Sequence, residues 1–263
     1  VFSDKKRDFT TTQTNILEIV AGRVAVDLER EVLLHENLQL RTVKRQLAAA
    51  GRLRRKLLPA VAPLIEGWQI AGRSSAAPAM LYDWFCPTDN HLAFALVEAG
   101  DAGIPGAISA ASIRAMVRAH LQYHRDVQTA ISRINLTHWT GSAGDQHAAL
   151  LLGLIDTASG TLSAALAGDG GLLHFSGGRC HAPLEPAKKL GEGPRLQCQS
   201  CRLELRPGDV LLAVVPGLRG AADAHGKSQQ ADRLADVLSG GLDLPARQLA
   251  AMAQKCFRQQ TSV

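Results

Sequence analysis

No proline occurs before Pro59, and from Thr10 to Leu58 apolar residues recur at helical spacing. Ile16, Ile19, Val20, Val24, Val26 and Leu28 lead on to Val32, Leu34, Leu38, Leu40, Val43, Leu47, Ala50, Leu53 and Leu57. This pattern predicts one or two long helices, with Pro59 as the stop. A helix rises ~1.5 Å per residue, so an unbroken one would reach well beyond a small domain and needs a partner for its apolar residues. Two solutions are open: a coiled coil with a second copy of the chain, which makes a homodimer, or a pair of helices packed back on the rest of the molecule. Opening directly in a helical pattern, the segment reads as the tail of an upstream domain.

Beyond Pro59 the texture changes. Short apolar runs appear at Trp68 to Arg73, Leu92 to Glu98, Ala148 to Asp156, Thr161 to Ala167, Gly171 to Ser176, Arg202 to Leu205 and Val210 to Val215. Turn sequences containing glycine or proline separate them, which predicts strands joined by hairpins. Helical patterns interrupt the strands from Pro105 to about Thr140 and from Lys227 to about Phe257. Strand runs with segregated helices indicate an α+β fold of two packed antiparallel sheets with helices outside. The segment Pro183 to Leu196, rich in Pro, Gly and Lys, is expected to be an exposed flap. The domain boundary falls at Leu58/Pro59, giving a helical segment 1–58 and a globular domain 59–263.

With 263 residues, 46% of them hydrophobic, the chain can bury a substantial core. No run approaches the ~18 apolar residues of a membrane span, and no basic-then-apolar leader opens the chain, so a cytoplasmic protein without a membrane role is expected. A formal charge of +5, much of it in the Lys44 to Lys56 segment with few aromatics interleaved, argues against a nucleic-acid partner. Five cysteines, an odd number, argue against a disulfide framework.

The stretch Pro78 to Ala107 carries the most chemistry. Asp83 sits among aromatic residues, and Glu98 closes an apolar strand before a glycine-containing loop and a helix start. Two carboxylates delivered by neighbouring strands are what a divalent metal needs, because hard cations want several oxygen ligands at one point.

The order of landmarks resembles the metal-dependent PPM (protein phosphatase 2C-like) serine/threonine phosphatases of the SpoIIE-like branch. That family has a helix ending in Leu-Leu-Pro, matched by Leu57, Leu58 and Pro59. Its Gly-Gly-Asp-aromatic-aromatic-Asp motif is matched by Leu81, Tyr82, Asp83, Trp84, Phe85 and Cys86, and its next strand and loop by Glu98 through Ala107. A later hairpin runs through Asp156, Gly160 and Leu162 to Ala167, Gly168 and Asp169, and a Leu-x-Pro-Gly-Asp strand appears as Leu205 to Asp209. The resemblance covers the chain from Leu57 onward. It implies an αββα sandwich with a long N-terminal helical linker from a GAF-type sensor domain.

The resemblance also implies two Mn or Mg ions held by acids from four places, and this chain departs at each. Asp83 is kept but followed by Cys86 at the second acid of its motif, and Glu98 replaces an Asp. At the third place stand Val215, Pro216 and Gly217, and at the fourth Gln259 and Gln260. Too little negative charge remains to offset the dehydration of two divalent cations. The expectation is therefore a degenerate phosphatase domain, a pseudophosphatase that binds a regulatory protein such as a STAS anti-anti-sigma factor or an anti-sigma kinase and needs no cofactor. The alternative is an active phosphatase with a reduced metal site at Asp83 and Glu98.

Two other groupings stand out. Cys180 with His181, and the pair Cys198 and Cys201, could form a zinc or redox site, although the spacing fits no standard finger. His120 and His124 share a helical face, without an acid at helical spacing other than Asp126, and read as a surface pair.

Overall fold

The computed structural model describes residues 9–74, 79–101, 103–142, 144–215 and 229–258. The chain divides into two units, one ending at Ala48 and one beginning at Ala49. The first is part of a single helix, α1 (Thr11–Leu57). Its start is a capping box, in which the Gln13 amide donates to the Thr10 hydroxyl and the Thr10 amide donates to the Gln13 side chain. Its apolar residues, from Ile16 through Leu47, are exposed. Pro59, which cannot continue a helix, stands two residues beyond the end of α1.

The second unit contains the last turns of α1 and four further layers. A five-stranded antiparallel sheet has the order β1-β2-β3-β4-β7, from β1 (Met80–Thr88), β2 (His91–Ala99), β3 (Ala148–Asp156), β4 (Thr161–Ala167) and β7 (Gln199–Glu204). A three-stranded sheet has the order β6-β5-β8, from β5 (Gly171–Ser176), β6 (Arg179–His181) and β8 (Val210–Val214). Helices α2 (Gly103–Tyr123) and α3 (Val127–Gly141) cover the larger sheet, and α4 (Gln229–Ser239) and α5 (Ala246–Arg258) cover the smaller one.

Three cores follow from the period-two alternation of strand side chains. Leu150, Leu152 and Leu154 of β3 join Ala95 and Val97 of β2 and Ile113, Val117, Ile131 and Ile134 of the helices. Leu151 and Ile155 point the other way, into the space between the sheets with Leu162, Leu166 and Leu172. Leu173 and Phe175 of β5 face Leu234, Leu238 and Leu249. Central strand β3 is buried on both faces from Ala148 to Leu154, and so its sequence is a continuous apolar run rather than an alternating one. Gly153 is a packing requirement: it pairs with Phe94, and a Cβ there would lie 2.1 Å from the Phe94 ring.

Several sequence expectations need correction. Trp68 to Arg73 is not a strand; Trp68 and Ile70 pack individually against the inter-sheet core, and the Tyr82 hydroxyl takes up the Gly72 carbonyl. The helical pattern from Pro105 breaks into α2 and α3, because the Asp126 carboxylate accepts the Thr129 amide at 2.8 Å and restarts the helix as its N-cap. Gly240, Gly241 and Pro245 divide the last helical pattern in the same manner. Pro183 to Leu196 is no exposed flap. Leu184 and Leu190 are buried in two of the cores, and the buried Asn135 side chain receives the Gly191 amide and donates to the Gly193 carbonyl.

Candidate functional site

Strand β1 places Asp83 on the face turned toward α2, with its side chain 2% exposed. Arg114 and Arg118 are four apart on α2 and therefore share one face of it. Arg118 grips the carboxylate in a fork, Nε to Oδ2 at 2.6 Å and Nη2 to Oδ1 at 2.9 Å. Arg114 Nε lies 2.9 Å from Oδ2 in an ionic contact whose N–H is not aligned, while Arg114 Nη2 donates to Oδ1 at 3.4 Å. The Trp84 amide fills a further lone pair of Oδ1 at 3.0 Å. Arg118 also lies over the Phe85 ring, 4.7 Å from its centroid, and its hydrogen bonding to Asp83 raises its pKa above the ordinary arginine value.

Glu98 faces the other way. Asp83 pairs with Ala95, whose side chain belongs to the helix-side core, and Glu98 stands three residues on, on the inter-sheet face with Phe94 and Leu96. It is half-buried at the end of β2, opposite Ala149 of β3. Burial raises its pKa; Lys189 opposes that rise and Asp169 adds to it. The Lys189 ammonium is 4.0 Å from the Asp169 carboxylate. Gly168 makes this neighbourhood possible: at φ +80° it occupies a left-handed turn, and a Cβ there would meet Ala149 at 2.8 Å and the Lys189 stem at 3.1 Å.

The two acids that the sequence nominated as metal ligands thus lie on opposite faces of one sheet, and their carboxylates do not converge. Among the described residues, no three His, Cys, Asp or Glu side chains could hold a metal ion together. Cys86 is exposed on β1, and Pro216, Gln259 and Gln260 lie outside the described residues. A buried carboxylate forked by one guanidinium and paired with a second already has its charge balanced by two cations, which opposes the approach of a metal ion. The described residues do not fit a two-metal centre.

The three cysteines grouped by sequence lie on different elements. Cys180 is on β6 of the smaller sheet, Cys201 is on β7 of the larger one, and Cys198 lies in the irregular segment just before β7. Cys198 packs against the helix-side core and Cys201 against the inter-sheet core. Burial raises the pKa of both thiols, which makes them poor nucleophiles. His120 and His124 stack at 6.2 Å on α2.

Sequence reading missed the arginines and Lys189. The signal was present in Arg114 and Arg118, two cations at helical spacing in an otherwise apolar helix. A third basic residue, Arg54, was read as part of a charged helix end; it is buried, donates from Nε to the Met80 carbonyl at 2.7 Å, and bonds the Ser74 hydroxyl.

With two sheets between paired helices, the unit has the fold of the PP2C-type phosphatases. It superimposes on the SiaA PP2C domain of Pseudomonas aeruginosa with a TM-score of 0.65 at 18% identity, covering 85% of this chain and 93% of that one. The RsbU and RsbW domains of a Mycobacterium tuberculosis protein match at 0.57 and 19%, covering 72% and 52%. The phosphatase domain of SpoIIE from Bacillus subtilis, with a fragment of its regulatory domain, matches at 0.57 and 15%, covering 69% and 54%. This chain spans about half the length of these last two structures. The chain belongs to the Stage II sporulation protein E (SpoIIE) family, whose model matches residues 88–262. A sequence comparison with characterised proteins gives no match. No helix among the described residues is long and apolar enough to cross a membrane.

Proposed function

We propose that this SpoIIE-family domain binds a regulatory protein in bacterial signalling and does not hydrolyse phosphoprotein. The observation that carries this reading is the Asp83 carboxylate, consumed by Arg114 and Arg118 on the face opposite Glu98. A metal-dependent phosphatase works by polarising a metal-bound water for attack on phosphorus, and that chemistry needs several carboxylates around one point. Here each acid has a basic neighbour instead: the arginines for Asp83, Lys189 for Glu98.

The partner, by family resemblance, is of the partner-switching type: a STAS anti-anti-sigma protein or its kinase. RsbU and RsbW domains occur together in one of the structural neighbours, which supports a setting of this kind. Segment 1–58 acts as the linker from a GAF-type sensor, and its exposed apolar residues pair with a second copy as a coiled coil. Sedimentation analysis tests the dimer: replacing Leu33 and Leu40 with Lys should give a monomer.

Calorimetric titration with Mn²⁺, together with an assay on an aryl phosphate and a phosphoserine peptide, decides the main question. The expected result is no turnover and no tight ion. Tight uptake of two ions with turnover would establish instead an active phosphatase.

A further inference from the structure

We infer that Lys189 is a tethered counter-cation for Glu98 and Asp169 at the end of the inter-sheet space, holding by its own charge a place where the two acids would otherwise attract a divalent ion. The inference rests on the non-catalytic reading above and adds a residue that opposes any cation at Glu98 and Asp169.

A carboxylate buried without a cation is costly, and Glu98 is half-buried with a second carboxylate, Asp169, acting on it. Lys189 acts on Glu98 with the opposite sign and stands 4.0 Å from Asp169. This lysine is not on a loosely held loop. The residue before it, Lys188, accepts the Gly168 amide at 2.9 Å, and Ala187 donates to the Gly168 carbonyl at 3.2 Å. The residue after it, Leu190, is fully buried and exchanges two main-chain hydrogen bonds with Ala148, at 2.8 and 3.1 Å.

Main-chain bonds on both sides therefore fix where the Lys189 stem leaves the backbone, and the missing side chain of Gly168 gives that stem room to pass. An ammonium placed in this way is always present and pays no translational entropy. It also repels any divalent cation drawn to Glu98 and Asp169, a like-charge repulsion that solvent reduces but does not abolish at a separation of a few ångströms.

The test is Mn²⁺ binding, read by water-proton relaxation, on the whole chain and on variants. The wild type should hold Mn²⁺ no better than Glu98→Gln does. Lys189→Gln and Lys189→Met should each bind one ion about tenfold or more tightly than wild type, Lys189→Arg should not, and adding Glu98→Gln to Lys189→Met should abolish the gain. The Lys189 side chain is 44% exposed, so the variants should fold, and circular dichroism monitors this. The inference is overturned if either folded neutral variant binds Mn²⁺ as weakly as wild type, or if wild type binds Mn²⁺ in a Glu98-dependent way. Phosphatase turnover by wild type in Mn²⁺ would overturn the binding-module reading. An inert wild type with no gain on losing Lys189 would overturn only the role given to Lys189.

Discussion

Asp83 and Glu98 lie on adjacent strands of one sheet, and each has a basic neighbour, yet the two neighbourhoods differ in kind. Asp83 is sealed against α2 and held by a guanidinium fork and a main-chain amide. Glu98 keeps access to solvent, and the lysine near it is itself 44% exposed. In the first place the carboxylate itself is buried, although Arg118 reaches solvent with 39% of its side chain, and a missing hydrogen bond to that carboxylate would be costly; in the second, solvent screens the charges and the interaction energy is small. One face of the sheet thus uses its acid to hold the fold together, while the other leaves its acid governed by local charge.

The most severe disruption of this contrast should come from Asp83→Ala, which takes the shared carboxylate from two partly exposed guanidinium groups. Chemical denaturation should show a loss of about 2–3 kcal/mol, and a loss under about 1 kcal/mol would place Asp83 with Glu98 in the screened class. Gly168→Ala tests the other side. The added methyl group meets Ala149 and the Lys189 stem and needs a left-handed backbone, so a loss of about 2 kcal/mol is expected in the same measurement.

Asp126→Ala removes an exposed carboxylate that caps α3, and should cost about 1 kcal/mol, giving a yardstick between the two classes. Accepting hydrogen bonds from Thr129 lowers the Asp126 pKa in the folded state, so its contribution is present above the ordinary aspartate range and disappears as pH falls through the lowered value.

Glu98→Gln should have the smallest effect, less than about 1 kcal/mol, and the opposite pH dependence. Burial raises the Glu98 pKa, so between the ordinary and the raised value the folded protein holds the proton that the unfolded chain has released. Stability associated with Glu98 is therefore full in acid and declines as pH rises through that window. The variant should match wild type near pH 4 and gain on it toward pH 7 in melting temperature. A variant that instead loses stability toward pH 7 would mean that the Lys189 attraction outweighs burial.

Much of the sheet architecture was legible because strand burial writes itself into the sequence. The expected bounds of Ala148–Asp156, Thr161–Ala167 and Gly171–Ser176 are those observed. Trp68–Arg73 misled because large apolar residues fill gaps at the margin of a core without pairing their main chain. Pro183–Leu196 misled because its composition is that of a loop, while Leu184 and Leu190 are the residues that fasten it.

The candidate site was legible only as a pair of acids. Which face of the sheet each acid takes depends on the β1–β2 register, set by hydrogen bonding across the hairpin rather than by either residue. Arg114 and Lys189 come from segments far away in sequence, and only the folded chain brings them to Asp83 and Glu98.

The position of β1 at the margin of the larger sheet has one more consequence. An outer strand offers a row of main-chain donors and acceptors to any passing chain, and sheets with long, regular margins polymerise. β1 ends in a register shift between Phe85 and Thr88, with Pro87 inside it contributing no N–H. At the opposite margin, β7 turns Arg202 and Glu204 to solvent. The larger sheet is thus guarded at both borders against growing by the addition of foreign strands, and these guards should keep the domain dispersed at high concentration.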